Sequence, residues 1–440
     1  MKTLLTNCQT PAGIRNILIE RKFIAYFGND FPECDKTIDC TGYIVLPGMI
    51  DPHVHVRDLE IAYKETWKTA SQAAIAGGVT TIMDMPNTKP ATTNQAGLAA
   101  KREVAVQSLV NYKFHLGATE NNLNELRRIL QENPSDIAGI KVFLAGSSSN
   151  EVVENPDQLA AIFQLDKEFD KVVLVHSERQ SILNKWQRKF PEPTIELHNQ
   201  IRHKEAAIAG TKLVLELAEK IGNKLYICHV STKEEIELIR TVKQTNKNIF
   251  CEVTPHHLVL NETILEKVGN FGKVNPPLRT KEDNEALLAA IEDGTIDCLG
   301  TDHAPHSLDE KQRCYTQAPS GFPGLETAIP MTFWLVKDGH ISLERYAQLI
   351  SGNAAKIFNI EKRGEIEVDN FADLVVIDPR KEGKVEAKNF QTKAKYSPFE
   401  GMKTSCEIVM CFVEGENKLS LEREIEKRSS LFVAKIRKNS

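Results

Sequence analysis

The feature that most constrains the fold of this chain is an alternation of two kinds of segment from about residue 51 onward. Short runs of β-branched and apolar residues alternate with amphipathic helical stretches, a pattern typical of βαβ units and a parallel sheet. The runs that we predict as strands are 44–56, 79–84, 112–116, 139–144, 171–176, 225–230, 249–253 and 296–301. Eight such strands predict an α/β protein with a (β/α)8 TIM-like barrel, a fold of ~250 residues that grows by insertion.

Helical stretches between these runs support the barrel. They are predicted over 64–76, 204–221 and 233–243, and the first is followed by Gly77-Gly78, a typical helix stop. A doubly wound open sheet is the alternative, but no predicted strand is followed by the GxGxxG of dinucleotide-binding sheets.

The two ends of the chain differ from its middle and predict short strands separated by turns. These strands are expected at 16–19, 23–27, 37–38, 364–368, 372–378 and 406–413. Neither end is long enough for a good core alone. We therefore predict one small β-sandwich domain built from residues 1–50 and 362–440, beside a barrel domain of residues 51–361. Basic and acidic residues mix near the C-terminus and predict a solvated helix over about 427–438.

Composition excludes several classes of function. The net charge of -5 over 440 residues provides no long-range attraction for nucleic acid or an anionic membrane. The nine cysteines show no CxxC spacing, and several lie in apolar runs, which indicates buried thiols in a reducing compartment. No segment approaches ~18 uncharged apolar residues, and the N-terminal apolar stretch is too short for a signal peptide. We expect a cytoplasmic protein, and a homodimer is compatible with the sequence.

The first barrel strand ends in a group of polar residues, Asp51-Pro-His-Val-His-Val-Arg57. Side chains two apart on a strand share a face, so His53, His55 and Arg57 should project together. Two neutral imidazoles suit zinc, and an arginine offers a planar fork for a carboxylate. An isolated pair of this kind is more simply explained as two satisfied histidines at a strand end.

Further strand ends carry matching residues, and barrel enzymes place their chemistry at this pole. His176, His229 and Asp302 end the fifth, sixth and eighth predicted strands, and Lys141 lies in the fourth. Together with the first pair they are nearly sufficient for a metal site. Near two dications the lysine amine would shift toward its neutral form, which can capture carbon dioxide as a metal-bridging carbamate. A buried ion pair is the alternative for this lysine.

Taken together, these segments resemble the dihydroorotases, which belong to the cyclic amidohydrolase superfamily with dihydropyrimidinases, hydantoinases and allantoinases. The resemblance extends from about residue 10 to about residue 415. The segments that carry it are HVHVR, MPNT, GIKVF, VHSE, CHVS, TPHH, NPPLR, TDHAPH, GFPGLET and SPFEG. Lys141, followed by Ala145-Gly-Ser-Ser-Ser-Asn150, differs from the common bacterial monofunctional form, which has an aspartate in a TDDG-like segment near this position.

The resemblance implies a reversible, zinc-dependent cyclisation of N-carbamoyl-L-aspartate to (S)-dihydroorotate and water in pyrimidine biosynthesis. It implies two zinc ions per subunit, bridged by a carboxylated Lys141. The implied metal ligands are His53, His55, Lys141, His176, His229 and Asp302. Asp302 would also act as the catalytic acid and base.

The resemblance also implies a set of residues that bind the substrate. They are Arg57, Asn87, Asn275, His306 and the backbone of Ser320 and Gly321. Structural roles are the alternatives: Asn87 could form a turn, Asn275 could shape the proline pair that follows it, and His306 could cap a loop. Glu252, His256 and His257 are expected to frame the site, and residues 311–320 to form a loop over it.

Arg57 separates the implied activity from its alternatives. An allantoinase, hydantoinase or dihydropyrimidinase would act on a ring without a carboxylate, and an arginine at this place would have nothing to bind. A non-catalytic homologue serving as a scaffold would be expected to have lost ligands, and all six are present. A hydrolase with a single metal is a further alternative.

Overall fold

The structure is a computed structural model that describes residues 1–146 and 152–419. Its strands are β1 Lys2–Thr10, β2 Gly13–Glu20, β3 Phe23–Gly28, β4 Lys36–Asp39, β5 Ile44–Pro47, β6 Met49–Val54, β7 Val79–Asp84, β8 Asn111–Gly117, β9 Ile137–Phe143, β10 Val172–His176, β11 Leu225–Ile227, β12 Ile249–Val253, β13 Cys298–Leu299, β14 Leu374–Asp378, β15 Glu407–Val413 and β16 Glu416–Asn417.

The α-helices are mostly found between the strands of the middle region. They are α1 Trp67–Ala76, α2 Gln95–Ala105, α3 Leu123–Gln131, α4 Pro156–Phe169, α5 Gln180–Gln187, α6 His198–Ile201, α7 Glu205–Ile221, α8 Lys233–Lys243, α9 Pro255–Val259, α10 Leu265–Val268, α11 Lys281–Glu292, α12 Leu308–Lys311, α13 Trp334–Lys337, α14 Leu343–Ala347 and α15 Asn353–Ile357. Within the described ranges, no helix is long and apolar enough to cross a membrane.

Strands β6 to β13 form one parallel sheet in chain order. Val54 pairs with His303 in a parallel bridge, and the backbone N–H of His55 donates to the carbonyl of His303 at 2.8 Å. The first strand therefore meets the segment that follows the last one, and the sheet closes. The predicted (β/α)8 barrel is confirmed, and its strands point their carboxyl ends toward one mouth.

The predicted strand 44–56 is two strands in two different sheets. Strand β5 pairs with β14 and β1, whereas β6 begins the barrel one residue later. Gly48 separates them, and a Cβ atom there would lie 2.3 Å from side-chain atoms of Thr80. The close approach of the chain at this crossing explains why the apolar run contains a Pro-Gly pair.

The last part of two predicted barrel strands has irregular backbone. Strand β11 ends at Ile227 and β13 at Leu299, before the predicted limits of 230 and 301. His229 and Asp302, which follow them, have φ angles of 35° and 47°. These left-handed conformations cannot continue a strand, so the functional residues lie just beyond it.

Both chain ends contribute to a second sheet, in the order β16-β15-β14-β5-β1-β2-β3, with β4 also paired to β1. Apolar side chains from both ends, including Leu5, Ile17, Leu374 and Phe412, form one buried cluster. The predicted strand 364–368 is wrong. Gly364 and Asp369 have φ angles of 94° and 68°, which interrupt an extended run. The predicted helix over 427–438 lies outside the described residues.

Helix starts follow local capping chemistry. The helix predicted from residue 64 begins at Trp67, because the Thr66 hydroxyl accepts the N–H of Thr69 in a capping box. The helix predicted over 233–243 has those limits, and a Thr232–Glu235 capping box fixes its start. Such caps fix where the helices begin, and apolar side chains of helices and barrel strands share the largest buried cluster of the described residues.

Candidate metal centre

Three predicted ligands from the first and last strands converge at the carboxyl mouth of the barrel. Nε2 of His53 lies 3.4 Å from Oδ1 of Asp302, and Nε2 of His55 lies 3.0 Å from the same oxygen. All three side chains are buried. Two imidazole nitrogens and one carboxylate oxygen therefore face a common point, a donor set that suits zinc.

The two remaining histidines lie directly beside this group. Nδ1 of His176, the last residue of β10, is 3.0 Å from Nε2 of His229. The ring centroids of His53 and His229 are 5.1 Å apart. Ligand atoms of His53, His229 and Asp302 all lie within 4.8 Å of one another. The structure thus brings the five predicted non-lysine ligands into one continuous cluster.

Lys141 projects from β9 into the same buried space. Its Nζ lies 2.9 Å from Sγ of Cys228 and 5.0 Å from the ring centroid of Phe143. The side chain is fully buried. Within the described ranges it forms no ion pair with a carboxylate. The buried ion pair that the sequence left open is therefore absent from this part of the chain.

Each of three clustered imidazoles has a partner on the nitrogen that faces away from the cluster. Nδ1 of His53 contacts Glu252, Nδ1 of His55 lies 2.6 Å from Oδ1 of Asn87, and Nε2 of His176 lies 2.9 Å from Oε2 of Glu178. These acceptors place the ring protons on the outer nitrogens and leave lone pairs on the inner ones, as metal ligation requires.

Electrostatics keep the four histidines neutral. Burial lowers the pKa of His53, His55, His176 and His229, most strongly for His53 and His229. A neutral imidazole is the form that binds a metal.

Glu178 is held as an anion behind the cluster. Burial acts to raise its pKa, but Arg202 and the hydrogen bond with His176 lower that pKa well below the usual range. Nη2 of Arg279 lies 3.8 Å from Oε1 of the same carboxylate. The charged Glu178 therefore fixes the orientation of His176.

Backbone conformation at the site is unusual for the residue types present. Arg57, His229 and Asp302 have φ angles of 69°, 35° and 47°, the left-handed region that favours glycine. Each such conformation costs about 1–3 kcal/mol and is typically found where function requires it. The strain turns these side chains toward the mouth of the barrel.

A cationic pocket adjoins the histidine cluster. The buried Arg57 guanidinium has Nε 3.3 Å from the carbonyl of Pro305 and Nη2 3.3 Å from Nε2 of His306. His306 has Nδ1 2.9 Å from Nζ of Lys64 and Nε2 3.0 Å from the carbonyl of Ser320.

These contacts fix which nitrogen of His306 carries its proton. The Lys64 ammonium has only donors, so Nδ1 must accept and Nε2 must carry the proton that Ser320 receives. Burial lowers the pKa of His306 well below its usual value, which agrees with a single ring proton. His306 therefore cannot accept a hydrogen bond from Arg57. The guanidinium forms no ion pair with an acid among the described residues.

The other residues predicted to bind the substrate differ in their hydrogen-bond partners. The Oδ1 atom of Asn87 is bonded to His55, so this side chain orients a metal-ligand candidate. Asn275 is half-buried, and its Oδ1 has no hydrogen-bond partner in the described structure. The Gly321 N–H donates to the carbonyl of Lys273 at 2.8 Å. The Ser320 carbonyl accepts a hydrogen bond from Nε2 of His306.

Sequence reasoning assigned no role to several residues that the structure places at this site. They are Lys64, Glu178, Arg202 and Cys228. Glu178 lies in the VHSE segment two residues after His176, which is the only local signal for it. Glu252, His256 and His257, expected to frame the site, are all buried, and Glu252 contacts His53 and accepts the backbone N–H of His229. Residues 147–150 of the segment after Lys141 lie outside the described residues.

A closed parallel barrel with neutral histidines, a carboxylate and a buried lysine at its carboxyl mouth defines a class of metal-binding barrel enzyme. The model of the amidohydrolase family matches residues 44–418. The chain belongs to the amidohydrolase family.

Individual relatives agree with this assignment. The chain is 34% identical over 441 aligned residues to a dihydroorotase from Methanosphaera stadtmanae, covering 98% of this chain and 99% of that protein. A dihydroorotase from Lactobacillus gasseri is 35% identical, with 91% of this chain and 94% of that protein covered. The resemblance to the dihydroorotases found in the sequence is thereby confirmed.

Solved structures share the whole fold. An L-hydantoinase (dihydropyrimidinase) from Arthrobacter aurescens aligns with a TM-score of 0.90 at 30% identity, over 94% of this chain and 95% of that one. A dihydropyrimidinase from Brevibacillus agri aligns with a TM-score of 0.88 at 27% identity, over 95% of each chain.

Proposed function

We propose that this protein catalyses the dihydroorotase reaction, the reversible closure of N-carbamoyl-L-aspartate to (S)-dihydroorotate and water in pyrimidine biosynthesis. The observation that carries the proposal is the buried Arg57 guanidinium, which has no carboxylate partner within the described ranges and lies beside the histidine cluster. The dihydroorotase relatives, aligned over nearly the whole chain, support the same reaction.

Arg57 supports an acidic substrate on energetic grounds. A buried cation without a counter-charge is unfavourable, because it has lost its hydration and gained no partner. The substrate carboxylate would pair with the planar guanidinium through two parallel hydrogen bonds. Hydantoin and dihydrouracil carry no such group, so they would leave the guanidinium unpaired.

We further propose that the cluster holds two zinc ions. His53, His55 and Asp302 would hold one ion and His176 and His229 the other, with Lys141 bridging them as a carbamate. The absence of an ion pair at Lys141 among the described residues supports the carbamate over the alternative. Zinc bound by these residues would lower the pKa of water toward ~7 and would polarise the carbonyl under attack.

Asp302 is the proposed acid and base. Burial acts to raise the pKa of this carboxyl, but His53 and His55 lower that pKa overall while they are protonated. Asp302 therefore loses its proton before the two imidazoles do and is ionised at neutral pH, where they are neutral. In ring opening, Asp302 takes the proton of the attacking water and delivers it to the departing ring nitrogen. Ring closure uses the same transfers in reverse. Arg57 holds the substrate carboxylate, and His306 keeps its place beside the guanidinium, so that the ring amide faces Asp302.

The main alternative is hydrolysis of an uncharged cyclic amide, and the hydantoinase structures favour it through the shared fold. One purified sample distinguishes the two. We expect ring closure of carbamoyl aspartate and ring opening of dihydroorotate to be fast, and turnover of hydantoin, allantoin and dihydrouracil to be slow or absent. Activity on the uncharged rings alone would overturn the proposal. No activity on any ring would favour the scaffold alternative.

A further inference from the structure

We propose that Lys311 is a positioning residue for recognition of the substrate carboxylate, acting through the backbone of Ser320 and the imidazole of His306. The proposal rests on the proposed function, because it concerns how the Arg57 pocket selects an acidic ring. It assigns a role to a buried lysine that lies outside the histidine cluster.

Lys311 ends α12 and sends its side chain into the protein, where it is 1% exposed. Its ammonium group contacts three backbone carbonyls and no carboxylate of the described residues. Nζ lies 2.9 Å from the carbonyl of Pro319, 2.9 Å from that of Gly321 and 3.2 Å from that of Lys273. Burial and the charge of Lys273 lower the pKa of Lys311 well below its usual value. Three carbonyl acceptors around Nζ nevertheless require three N–H donors, which the ammonium has and the neutral amine does not.

These contacts hold the chain on both sides of Ser320. The carbonyls of Pro319 and Gly321, its two neighbours, both point toward the Lys311 ammonium. The carbonyl of Ser320 instead accepts the Nε2 proton of His306 at 3.0 Å. By holding the carbonyls on both sides of Ser320, Lys311 therefore fixes the position of the Ser320 carbonyl, which is the hydrogen-bond acceptor of His306.

The orientation of His306 matters because Arg57 lies against the same nitrogen. Nη2 of Arg57 is 3.3 Å from Nε2 of His306, and both groups are donors. While Ser320 accepts the His306 proton, the imidazole stays in place and the guanidinium donors remain available to a ligand. If the Ser320 carbonyl moved, the Nε2 proton would lack an acceptor and His306 would turn within the pocket.

A second buried lysine provides a matched comparison. Nζ of Lys273 lies 2.6 Å from the carbonyl of Tyr315 and 2.7 Å from that of Ala318, also in the segment that follows α12. It does not contact the carbonyls that flank Ser320. Both lysine side chains stabilise the same segment, but of the two only that of Lys311 contacts the carbonyls that flank Ser320. The carbonyl of Lys273, which accepts the Gly321 N–H, belongs to the backbone and is kept in a Lys273→Met variant.

A charged group in this place is otherwise difficult to explain. Burial of an ammonium without an acid is unfavourable, and an apolar side chain of similar length would fill the space without that cost. Charge-assisted hydrogen bonds to carbonyls are directional, whereas apolar contacts are not. The lysine therefore contributes a defined backbone geometry rather than packing alone.

The test compares Lys311→Met with Lys273→Met, and with Lys281→Met on the exposed face of α11 as a surface control. For dihydroorotate, we expect Lys311→Met to raise KM about tenfold or more while kcat changes by less than about threefold and zinc content is unchanged. The preference for dihydroorotate over dihydrouracil should fall by the same factor. Lys273→Met should lower the melting temperature without changing that preference.

Nitrogen-15 NMR of histidine-labelled protein measures the His306 tautomer without reference to activity. We expect the Nε2-protonated form in the native protein and a shifted or averaged signal in Lys311→Met. Equal losses in the two buried-lysine variants, or an unchanged KM and tautomer in Lys311→Met, would overturn the proposal. If Lys311→Met does not fold, Lys311→Gln, which keeps two N–H donors and no charge, is measured in the same way. A native protein that acts only on uncharged rings would instead overturn the proposed function, while the NMR result still decides the positioning role.

Discussion

The carboxylate of Glu178 lies 2.9 Å from Nε2 of His176, while Nδ1 of the same ring faces His229 at 3.0 Å. His53, His55 and His229 instead turn Nε2 toward the cluster. The different nitrogen used by His176 follows from its partner, because the Glu178 carboxylate, which Arg202 and Arg279 also contact, accepts from Nε2 of this ring. One buried acid thus determines which lone pair the fifth barrel strand presents.

We expect Glu178→Gln to weaken binding of the metal at His176 by about 10- to 100-fold, since an uncharged partner orients the ring less firmly and leaves two arginines without their acid. Zinc retained after dialysis against a graded series of chelator concentrations measures this. Glu168→Gln, which changes an exposed partner of Arg127, is the matched control and should retain zinc as the native protein does. Equal retention in both variants would contradict the orienting role of Glu178.

Lys141→Ala should lose activity and part of its zinc, because the bridging ligand is gone. A short-chain carboxylate such as acetate should restore part of both, since it can enter the space left by the side chain and supply two oxygens. Lys141→Met fills that space and should not respond. Zinc analysis and dihydroorotate turnover, each with and without acetate, give the result. Full zinc content and activity in Lys141→Ala would rule out a bridging lysine.

Arg57→Met should lower kcat/KM for dihydroorotate by about 100-fold or more, because loss of one partner of a buried charge pair costs about 2–5 kcal/mol. Arg57→Lys keeps the charge but not the planar fork and should fall between Arg57→Met and the native protein. Slow turnover of dihydrouracil, where it can be measured, should change little in either variant. A parallel loss on both substrates would show that Arg57 supports the pocket rather than the carboxylate.

The convergence of the site could be predicted because two general rules suffice for it. Alternate residues on a strand share a face, and parallel barrel strands end at one mouth. These rules placed His53, His55, His176, His229 and Asp302 together, and the structure brings them together. Neither rule predicts the residues that orient the candidate ligands. Arg202 meets Glu178 from an irregular segment 24 positions away, and no periodic pattern encodes that contact.

Other features depend on backbone detail that side-chain patterns do not carry. The run 44–56 was predicted as one strand because its apolar character is continuous, yet Gly48 divides it between two sheets. The binding of substrate by Asn87 stays a prediction, whereas the contact of its Oδ1 with His55 was not predicted from the sequence. Lys311 binds carbonyls, which every residue possesses, so its partners leave no trace in the sequence.

Stability should also depend on pH through Glu326, a half-buried carboxyl that is not one of the candidate metal ligands. Oε1 of Glu326 accepts the backbone N–H groups of Gln391 at 2.6 Å and Thr392 at 3.1 Å. Burial, with a smaller contribution from Glu65, raises the pKa of Glu326 to about 8. An unfolded glutamate titrates near about 4.3. The folded protein therefore binds the proton more tightly than the unfolded chain.

The higher pKa of Glu326 in the folded protein sets the direction in which stability changes with pH. The stabilisation from the bound proton is fully present below about pH 4 and is lost progressively as the pH rises to about 8. Glu326→Gln keeps an oxygen acceptor for both N–H groups and cannot ionise, so its melting temperature relative to the native protein should rise between pH 5 and pH 9. Glu285→Gln, on an exposed helix face, should show no such trend. If the difference in melting temperature between Glu326→Gln and the native protein were the same at pH 5 and pH 9, Glu326 would already be ionised in the folded protein at pH 5.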